Sequence, residues 1–426
     1  MIQDTPWTSQ TLDNGLRIVV TPMPQSQAAS LAMYVGVGSR AEARDTLGLS
    51  HYLEHMLFKG TEQRPSAAQI SSEIEGAGGT LNAFTTKELT CFWNRVPYDR
   101  MELALDILSD SLRHSLLQDE EIERERTVIQ QEIRRANDEP GQKAFQLLSD
   151  AAYGDQPIGW DIAGDLESVD AIRRQDLIDH IADWYRPHNL VLGVAGNVNP
   201  DRVFELAQQH WGDHQPHDAG TPPPASPDMA ADRVIVEHRD IEQCNLGMAL
   251  RTFPRADDDR YALSLLNEVL GRGMSSRLFL EVRERRGLAY SVGSGTARFA
   301  DTGHLSVGAG VTTENVNETV EVVLAELEKL RDAPVPHDEL EKAREHAIGS
   351  FRLSLETASA WTHRTAEALL SENEIRSAEE TVAEYRAITA EDVQRVAQRF
   401  IRRDNVAISV VGPYDDANAI KEMVSA

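Results

Sequence analysis

Two histidines and a glutamate in this chain fall where a single metal ion could collect them. His51, Glu54 and His55 lie in LGLSHYLEHMLF, residues 47–58, which has no Gly or Pro after Gly48 and repeats Leu49, Leu53, Met56 and Leu57 at helical spacing. At 3.6 residues per turn the two imidazoles project about 40° apart, so both can reach one ion. Glu54 falls about 60° to the other side of His51, near enough to touch a water on that ion without being a ligand. The pattern is H-x-x-E-H, the reverse of H-E-x-x-H. Two imidazoles and one carboxylate fill three tetrahedral positions of zinc and leave one for water, whose pKa falls to about 7. Glu54 can then take that water's proton as a carbonyl carbon is attacked, which is hydrolytic chemistry.

A third ligand is available in DEEIERERTVIQQEIRRAN, residues 119–137, read as a helix with the apolar stripe Ile122, Val128, Ile129 and Ile133. Measured from Ile122, Glu125 falls at about 300° and Glu132 at about 280°, inside that stripe, while Glu120 and Glu123 point the other way. Two carboxylates are thus expected to face the interior, where each needs a metal, a histidine or an arginine. They are seven apart, two turns along one face, so one can ligate while the other holds a histidine from behind. Spacing alone leaves open which does which.

The elements that must position these groups belong to a chain of 426 residues, more than one hydrophobic core usually organises. Hydrophobic residues make up 41% and charged residues 26%, and helical patterns alternate with short β-rich runs, as in a soluble mixed α and β protein. A net charge of −27 repels nucleic acid and anionic membrane and favours cationic peptides. Two cysteines, Cys91 and Cys244, are too few for a sulfur-ligated metal site, so a metal must sit on histidine and carboxylate. The N-terminus lacks a basic region followed by an apolar stretch, and no apolar run approaches the ~20 residues of a membrane span, so the expectation is a cytoplasmic protein.

The sharpest compositional break, GDHQPHDAGTPPPASPDMAADR, reads as a linker over 213–233 between domains at 1–212 and 234–426. The chain repeats across it. Residues 169–200 resemble residues 385–416 at an offset of 216, each copy an amphipathic helix, an Arg and Asn turn, and a strand ending in Gly. The strand SLAMYVGVG (30–38) likewise matches CNLGMALRTF (244–253). The segment matching LGLSHYLEHMLFKG is YALSLLNEVLGRG, residues 261–273, which has no histidine. One half therefore carries the metal chemistry and the other has a different task.

Taken together, VGVGSRAE, GLSHYLEHMLFKGT, GGTLNAFTTKE, IERERTVIQQEI and SSRLFLEVRERRGLAYSV, in order from residue 35 to residue 292, resemble the pitrilysin and insulinase metallopeptidases. The likeness is strongest to their bacterial members similar to mitochondrial processing peptidase. It implies an α+β fold of two homologous α/β-sandwich domains, each a mixed or antiparallel sheet flanked by helices, related by internal duplication. It implies one Zn²⁺ per chain on His51, His55 and Glu132, the last meeting the family's spacing at 77 residues after His55. Glu54 becomes the general base and Glu125 the support behind a ligand. The resemblance further implies that GGTLNAFT, residues 78–85, runs along an edge strand to which an extended peptide adds, with Asn82, Ala83, Phe84 and Thr85 as substrate-binding positions. In the second half it implies an Arg283 and Tyr290 pair that stabilises the developing oxyanion, with Arg285 and Arg286 as rivals in the same run. A chain of this length is half of the four-domain chamber of the long members, which implies two chains closing as a clamshell, most simply a homodimer. The expected activity is endopeptidase cleavage of peptides or unfolded polypeptides. The competing reading is a non-catalytic peptide-binding or core subunit of a processing-peptidase-like complex, a kind of relative that typically lacks the zinc residues retained here.

Overall fold

The first half forms strands β1 (Thr8–Thr11), β2 (Arg17–Pro22), β3 (Ala28–Val35), β4 (Thr80–Thr85), β5 (Thr90–Pro97) and β6 (Leu190–Gly196), of which β2, β3 and β6 are apolar runs and β1 is polar and exposed. The structure is a computed structural model and describes residues 7–215 and 219–425; residues 216–218 of the expected linker lie outside them. The six strands make one sheet in the order β1-β2-β6-β3-β5-β4, with β2 and β6 parallel and the other neighbours antiparallel. The helices of this half are α1 (Leu49–Met56), α2 (Ala67–Gly76), α3 (Met101–Arg113), α4 (Asp119–Asp138), α5 (Pro140–Tyr153), α6 (Leu166–Ala171), α7 (Arg174–Trp184) and α8 (Pro200–Trp211).

The second half repeats the plan. Strands β7 (Val234–His238), β8 (Cys244–Thr252), β9 (Ala289–Arg298), β10 (Gly303–Val311) and β11 (Val406–Gly412) form a sheet ordered β7-β11-β8-β10-β9, with β7 and β11 parallel. Its helices are α9 (Arg260–Gly271), α10 (Val316–Asp332), α11 (His337–Leu353), α12 (Ala358–Ser371), α13 (Ala378–Ala387), α14 (Ala390–Phe400) and α15 (Ala417–Ser425). The fold is α+β, two sheets flanked by helices. Among the described residues no helix is long and apolar enough to cross a membrane.

Alternation along each strand gives both sheets two faces to bury. On β3, Leu31, Met33 and Val35 join a core with Leu53, Met56, Ile70, Leu105 and Ile129, whereas Ala32 and Tyr34 pack on the opposite face with Cys91, Val191 and Ala366. Ala366 belongs to α12, which lies against β3 and β6. In the second sheet α5 lies against β8 and β11, with Leu148 and Ala151 packed on Ala249 and Ala407. The chain accordingly divides into two compact units with crossings after Ile133, Gly159, Pro223, Phe351 and Ala378, so α12 belongs to the first unit and α5 to the second. Sequence order and compact unit differ at these two segments. The Pro-rich stretch is tied down too: Pro223 O accepts from the Arg40 guanidinium in the first unit, and Ser226 N donates to Gln156 in the second.

The duplication is written in recurring polar contacts as well as strands. Arg126 donates to the carbonyls of Val169 and Ile172 and pairs with Glu123; Arg344, 218 residues later, donates to those of Tyr385 and Ile388 and pairs with Glu341. Asn189 Nδ2 donates to Trp184 O at 2.9 Å, and Asn405 Nδ2 to Phe400 O at 2.8 Å. Each satisfies a carbonyl left over at a helix end, a group that is costly to bury unpaired.

Two stability predictions follow from this packing. A Cβ at Gly193 in β6 would lie 2.7 Å from the Ala366 Cβ, so Gly193→Val should unseat α12 and destabilise the chain by about 1–3 kcal/mol in urea unfolding. His180 on α7 is buried behind α1, its Nε2 3.4 Å from Ser50 Oγ, and burial pushes its pKa from 6.5 down to about 4. The folded state keeps it neutral while the unfolded chain binds a proton, so stability falls as pH drops from 6.5 towards 4, by about 3 kcal/mol in all. His180→Gln should flatten that part of the profile; wild-type and variant curves that stay parallel between pH 7 and 4.5 would refute it.

Candidate metal centre

Helix α1 is set in place from its N-terminus. Gly48 stands there at φ 89°, and a Cβ would lie 2.4 Å from Ala163 O, so glycine alone fits. The amides of Gly48 and Ser50 each donate to the buried Glu42 carboxylate at 2.7 Å, one to each oxygen. Burial pushes the Glu42 pKa up to about 7 against the opposing pull of these bonds. Leu49, Tyr52, Leu53 and Met56 are buried, which leaves His51 and His55 on the open face.

The two imidazoles lie with ring centroids 4.7 Å apart at 68°. From α4, Glu132 Oε2 comes to 3.6 Å from His55 Nε2 and 3.9 Å from His51 Nε2, and one donor atom from each of the three residues lies within 4.8 Å of the others. A tetrahedral zinc ion with bonds of about 2.0–2.1 Å separates its ligand atoms by about 3.4 Å. Two imidazole nitrogens and a carboxylate oxygen at these separations fit such an ion with small side-chain adjustment. Burial, helped by the neighbouring His55, pushes His51 down to about 4, so the ring is neutral at neutral pH and has one nitrogen lone pair free.

His55 is oriented from behind. Its Nδ1 meets Glu125 Oε2 at 2.9 Å, and Glu125 Oε1 meets Lys59 Nζ at 2.6 Å. This bond turns Nε2 towards Glu132 and fixes the tautomer available for ligation. Burial lowers the His55 pKa, but the bond to Glu125 and the charges of Glu132, Glu125 and Glu54 outweigh it and raise the value. Burial raises the Glu125 pKa, and His55 and Lys59 overcome that to hold it below the ordinary carboxylate range. Glu54 is raised by burial, opposed by the Thr85 hydroxyl, which donates to its Oε2 at 2.6 Å.

One expectation is corrected here. Glu125 is buried, but Glu132 is 47% exposed and Val128, assigned to the apolar stripe, is 38% exposed. The buried arc of α4 runs from Glu125 through Ile129, Ile122 and Ile133 to Arg126, about 100° wide on the helical wheel. Glu132 falls about 20° and Val128 about 60° outside its Glu125 edge. Glu132 thus faces the histidines from the solvent side.

Of the other residues singled out by sequence, Asn82, Ala83, Phe84 and Thr85 lie on β4, the edge strand of the first sheet. Asn82 is exposed and its Oδ1 accepts from the Ala83 amide. Ala83 packs on the core, and Phe84 sits edge-on to Tyr34 with ring centroids 6.2 Å apart. Only Thr85 of the four touches the centre. Arg283 and Tyr290 belong to the second unit. Arg283, in a π-helical turn at Phe279–Arg285, stacks over the rings of Phe279 at 4.9 Å and Tyr290 at 5.5 Å, and Tyr290 is 78% exposed. The rivals Arg285 and Arg286 pair with Glu281 and Glu318. Sequence reasoning missed Glu42 and Lys59. A lysine one turn beyond His55 signals the second, whereas an acid six residues ahead of Gly48 lies too far from the helix start to signal the first.

Comparison with known proteins identifies the class of this arrangement. Residues 17–166 match the family described as Insulinase (Peptidase family M16), and residues 171–346 match the Peptidase M16 inactive domain. A protein of Streptomyces coelicolor, named as an uncharacterized zinc protease, is 36% identical over 415 residues, covering 96% of this chain and 90% of its own. The uncharacterized zinc protease YmxG of Bacillus subtilis is 32% identical over 403 residues, 95% of this chain and 97% of its own. A protease from Helicobacter pylori superposes with a TM-score of 0.89 at 24% identity, over 96% of this chain and 100% of its own. A peptidase M16 inactive domain from Pseudomonas fluorescens does so with 0.89 at 21% identity, over 96% and 98%. The chain belongs to peptidase family M16, the insulinase family.

The geometry around His55 makes a prediction independent of turnover. Glu125→Gln should weaken zinc binding about 10–100-fold in a chelator competition, because the imidazole loses its charged anchor. Unchanged affinity would mean that Glu125 serves folding alone.

Proposed function

We propose that this M16 peptidase is a zinc-dependent endopeptidase that hydrolyses peptides or unfolded polypeptides. The observation that carries the reading is the meeting of His51 and His55 from α1 with Glu132 from α4, beside a Glu54 carboxylate that is no part of that donor set. His51, His55 and Glu132 would hold Zn²⁺. When bound, the ion supplies Lewis acidity, polarising a carbonyl and acidifying a water. Glu54 takes a proton from the attacking water and returns it to the leaving amine. The exposed edge of β4 receives an extended peptide through main-chain hydrogen bonds, which hold the scissile carbonyl in place with tolerance of sequence. Arg283 and Tyr290 donate to the carbonyl oxygen as charge develops on it.

The same proposal makes the active species a cytoplasmic homodimer forming a clamshell chamber. The buried, unpaired cysteines Cys91 and Cys244 are compatible with a reducing compartment. The net charge of −27 favours substrates with basic side chains. A division of labour between the halves is supported by Leu265 and Val269, buried in α9 at the positions that match His51 and His55.

The test is metal analysis of the purified chain together with hydrolysis of a quenched peptide. We expect bound zinc, activity lost to a chelator and restored by zinc, and Glu54→Gln reducing turnover to a small residual rate with the metal retained. Tyr290→Phe should lower kcat by about 10²–10³-fold with zinc content unchanged, the range for loss of one oxyanion donor. A zinc-loaded chain with no hydrolysis of any peptide in a library would instead identify a peptide-binding subunit.

A further inference from the structure

We infer that Thr85 is a positioning residue for the reaction, holding the Glu54 carboxylate so that one chosen oxygen faces the metal centre. The inference rests on the reading of Glu54 as general base. Thr85 Oγ1 lies 2.6 Å from Glu54 Oε2 in a part-buried setting, and among the described residues it is the hydrogen-bond donor on that carboxylate. The bond engages one lone pair of Oε2 and fixes the carboxylate's rotation, which leaves Oε1 the freer oxygen for proton transfer. Glu54 has three side-chain torsions, and anchoring one oxygen removes freedom that would otherwise be lost at each turnover.

The anchor is itself immobile. Thr85 ends β4 opposite Thr90 in β5, and the next residues close a tight turn in which Thr86 N donates to Leu89 O at 2.8 Å. That turn is bound in turn by Ser39 N on Thr86 O at 3.1 Å and Arg40 N on Lys87 O at 2.8 Å. The approach is possible because residue 38 is glycine: a Cβ there would lie 2.2 Å from Thr86 O. Threonine's branched Cβ further restricts its own torsion.

Thr85 also belongs to the strand that the proposed function assigns to peptide binding. The backbone that would align the scissile carbonyl and the hydroxyl that aims the base are therefore parts of one strand. Their spacing is set by covalent geometry, with no flexible side chain between them.

The experiment uses the zinc-loaded full-length chain with a quenched peptide. Thr85→Val keeps the shape and removes the hydroxyl; it should lower kcat at least about tenfold while KM stays within about twofold and zinc content and thermal unfolding are unchanged. Thr85→Ser restores the donor and should recover most of the rate. In a Glu54→Gln background, Thr85→Val should change the residual rate no further, because the two residues act as one unit. A rise in KM at constant kcat, or a kcat loss of equal size in both backgrounds, overturns the inference and makes Thr85 a substrate contact or a structural residue. If Glu54→Gln itself retains full turnover, the reading of Glu54 as base fails, and that result is distinct from an inert Thr85→Val in an otherwise Glu54-dependent enzyme.

Discussion

The close approach of α1 and α4 is the constraint on which the centre depends. Neither helix alone presents the three potential donors His51, His55 and Glu132. Ile122, Ile129 and Ile133 of α4 share one core with Leu53 and Met56 of α1, and the Tyr52 hydroxyl donates to the Ile122 carbonyl across the seam. Each such apolar side chain contributes about 1.5–3 kcal/mol on burial. Several of them offset the desolvation of a carboxylate that must sit between the helices. Glu125 is that carboxylate, and it is tolerated because both its oxygens are engaged, one by His55 and one by Lys59. Removing a partner from a buried ionic group costs more than the pair contributes, so the seam and the polar cluster stabilise each other.

The same seam makes the two imidazoles unequal. His55 has an acid behind it, which turns Nδ1 away and leaves Nε2 for ligation. His51 sits beside another imidazole and is kept neutral by burial. Two protonated rings with centroids 4.7 Å apart would repel, so an arrangement in which one is neutral and the other is held by a carboxylate is the one this surface can sustain. Glu132, on the solvent side of α4, is less constrained than the rings it faces.

Much of this was legible in the sequence because helical spacing is rigid. A spacing of four from His51 to His55 determines a common face, and a spacing of seven from Glu125 to Glu132 determines a common edge. Sheet membership was legible too, since the run from Leu31 to Val35 is short, continuously apolar and followed by Gly36 and Gly38, the pattern of a strand buried on both faces. The exchange of α5 and α12 was not. Periodicity tells that a helix has an apolar face but not which sheet will cover it, and both sheets here have a second face to bury. The depth of Glu132 was misjudged for a similar reason. The stripe on α4 was drawn from residue type alone and included Val128, whereas the true buried arc is bounded by Arg126, whose aliphatic stem lies inside while its guanidinium reaches two carbonyls. Glu42 stayed hidden because a buried acid six residues ahead of its helix has no spacing signature.

The second half has the equivalent helix without histidines. In α9 the positions of the two histidines are Leu265 and Val269, both buried in the core. Glu268 stands where α1 has Glu54, and here it is bridged by His346 of α11 at 2.7 Å. A paired carboxylate and imidazole on two helices therefore recur, with the roles exchanged: the histidine is on α1 and the acid on α4 in the first half, the acid on α9 and the histidine on α11 in the second. The Arg126 and Arg344 clamps and the Asn189 and Asn405 contacts, by contrast, are the same in both halves. What duplication preserved are the bonds that satisfy buried carbonyls, whose loss is costly in any descendant of the fold. Among the differences between the halves is the helix face that carries His51 and His55 in α1 and the buried Leu265 and Val269 in α9.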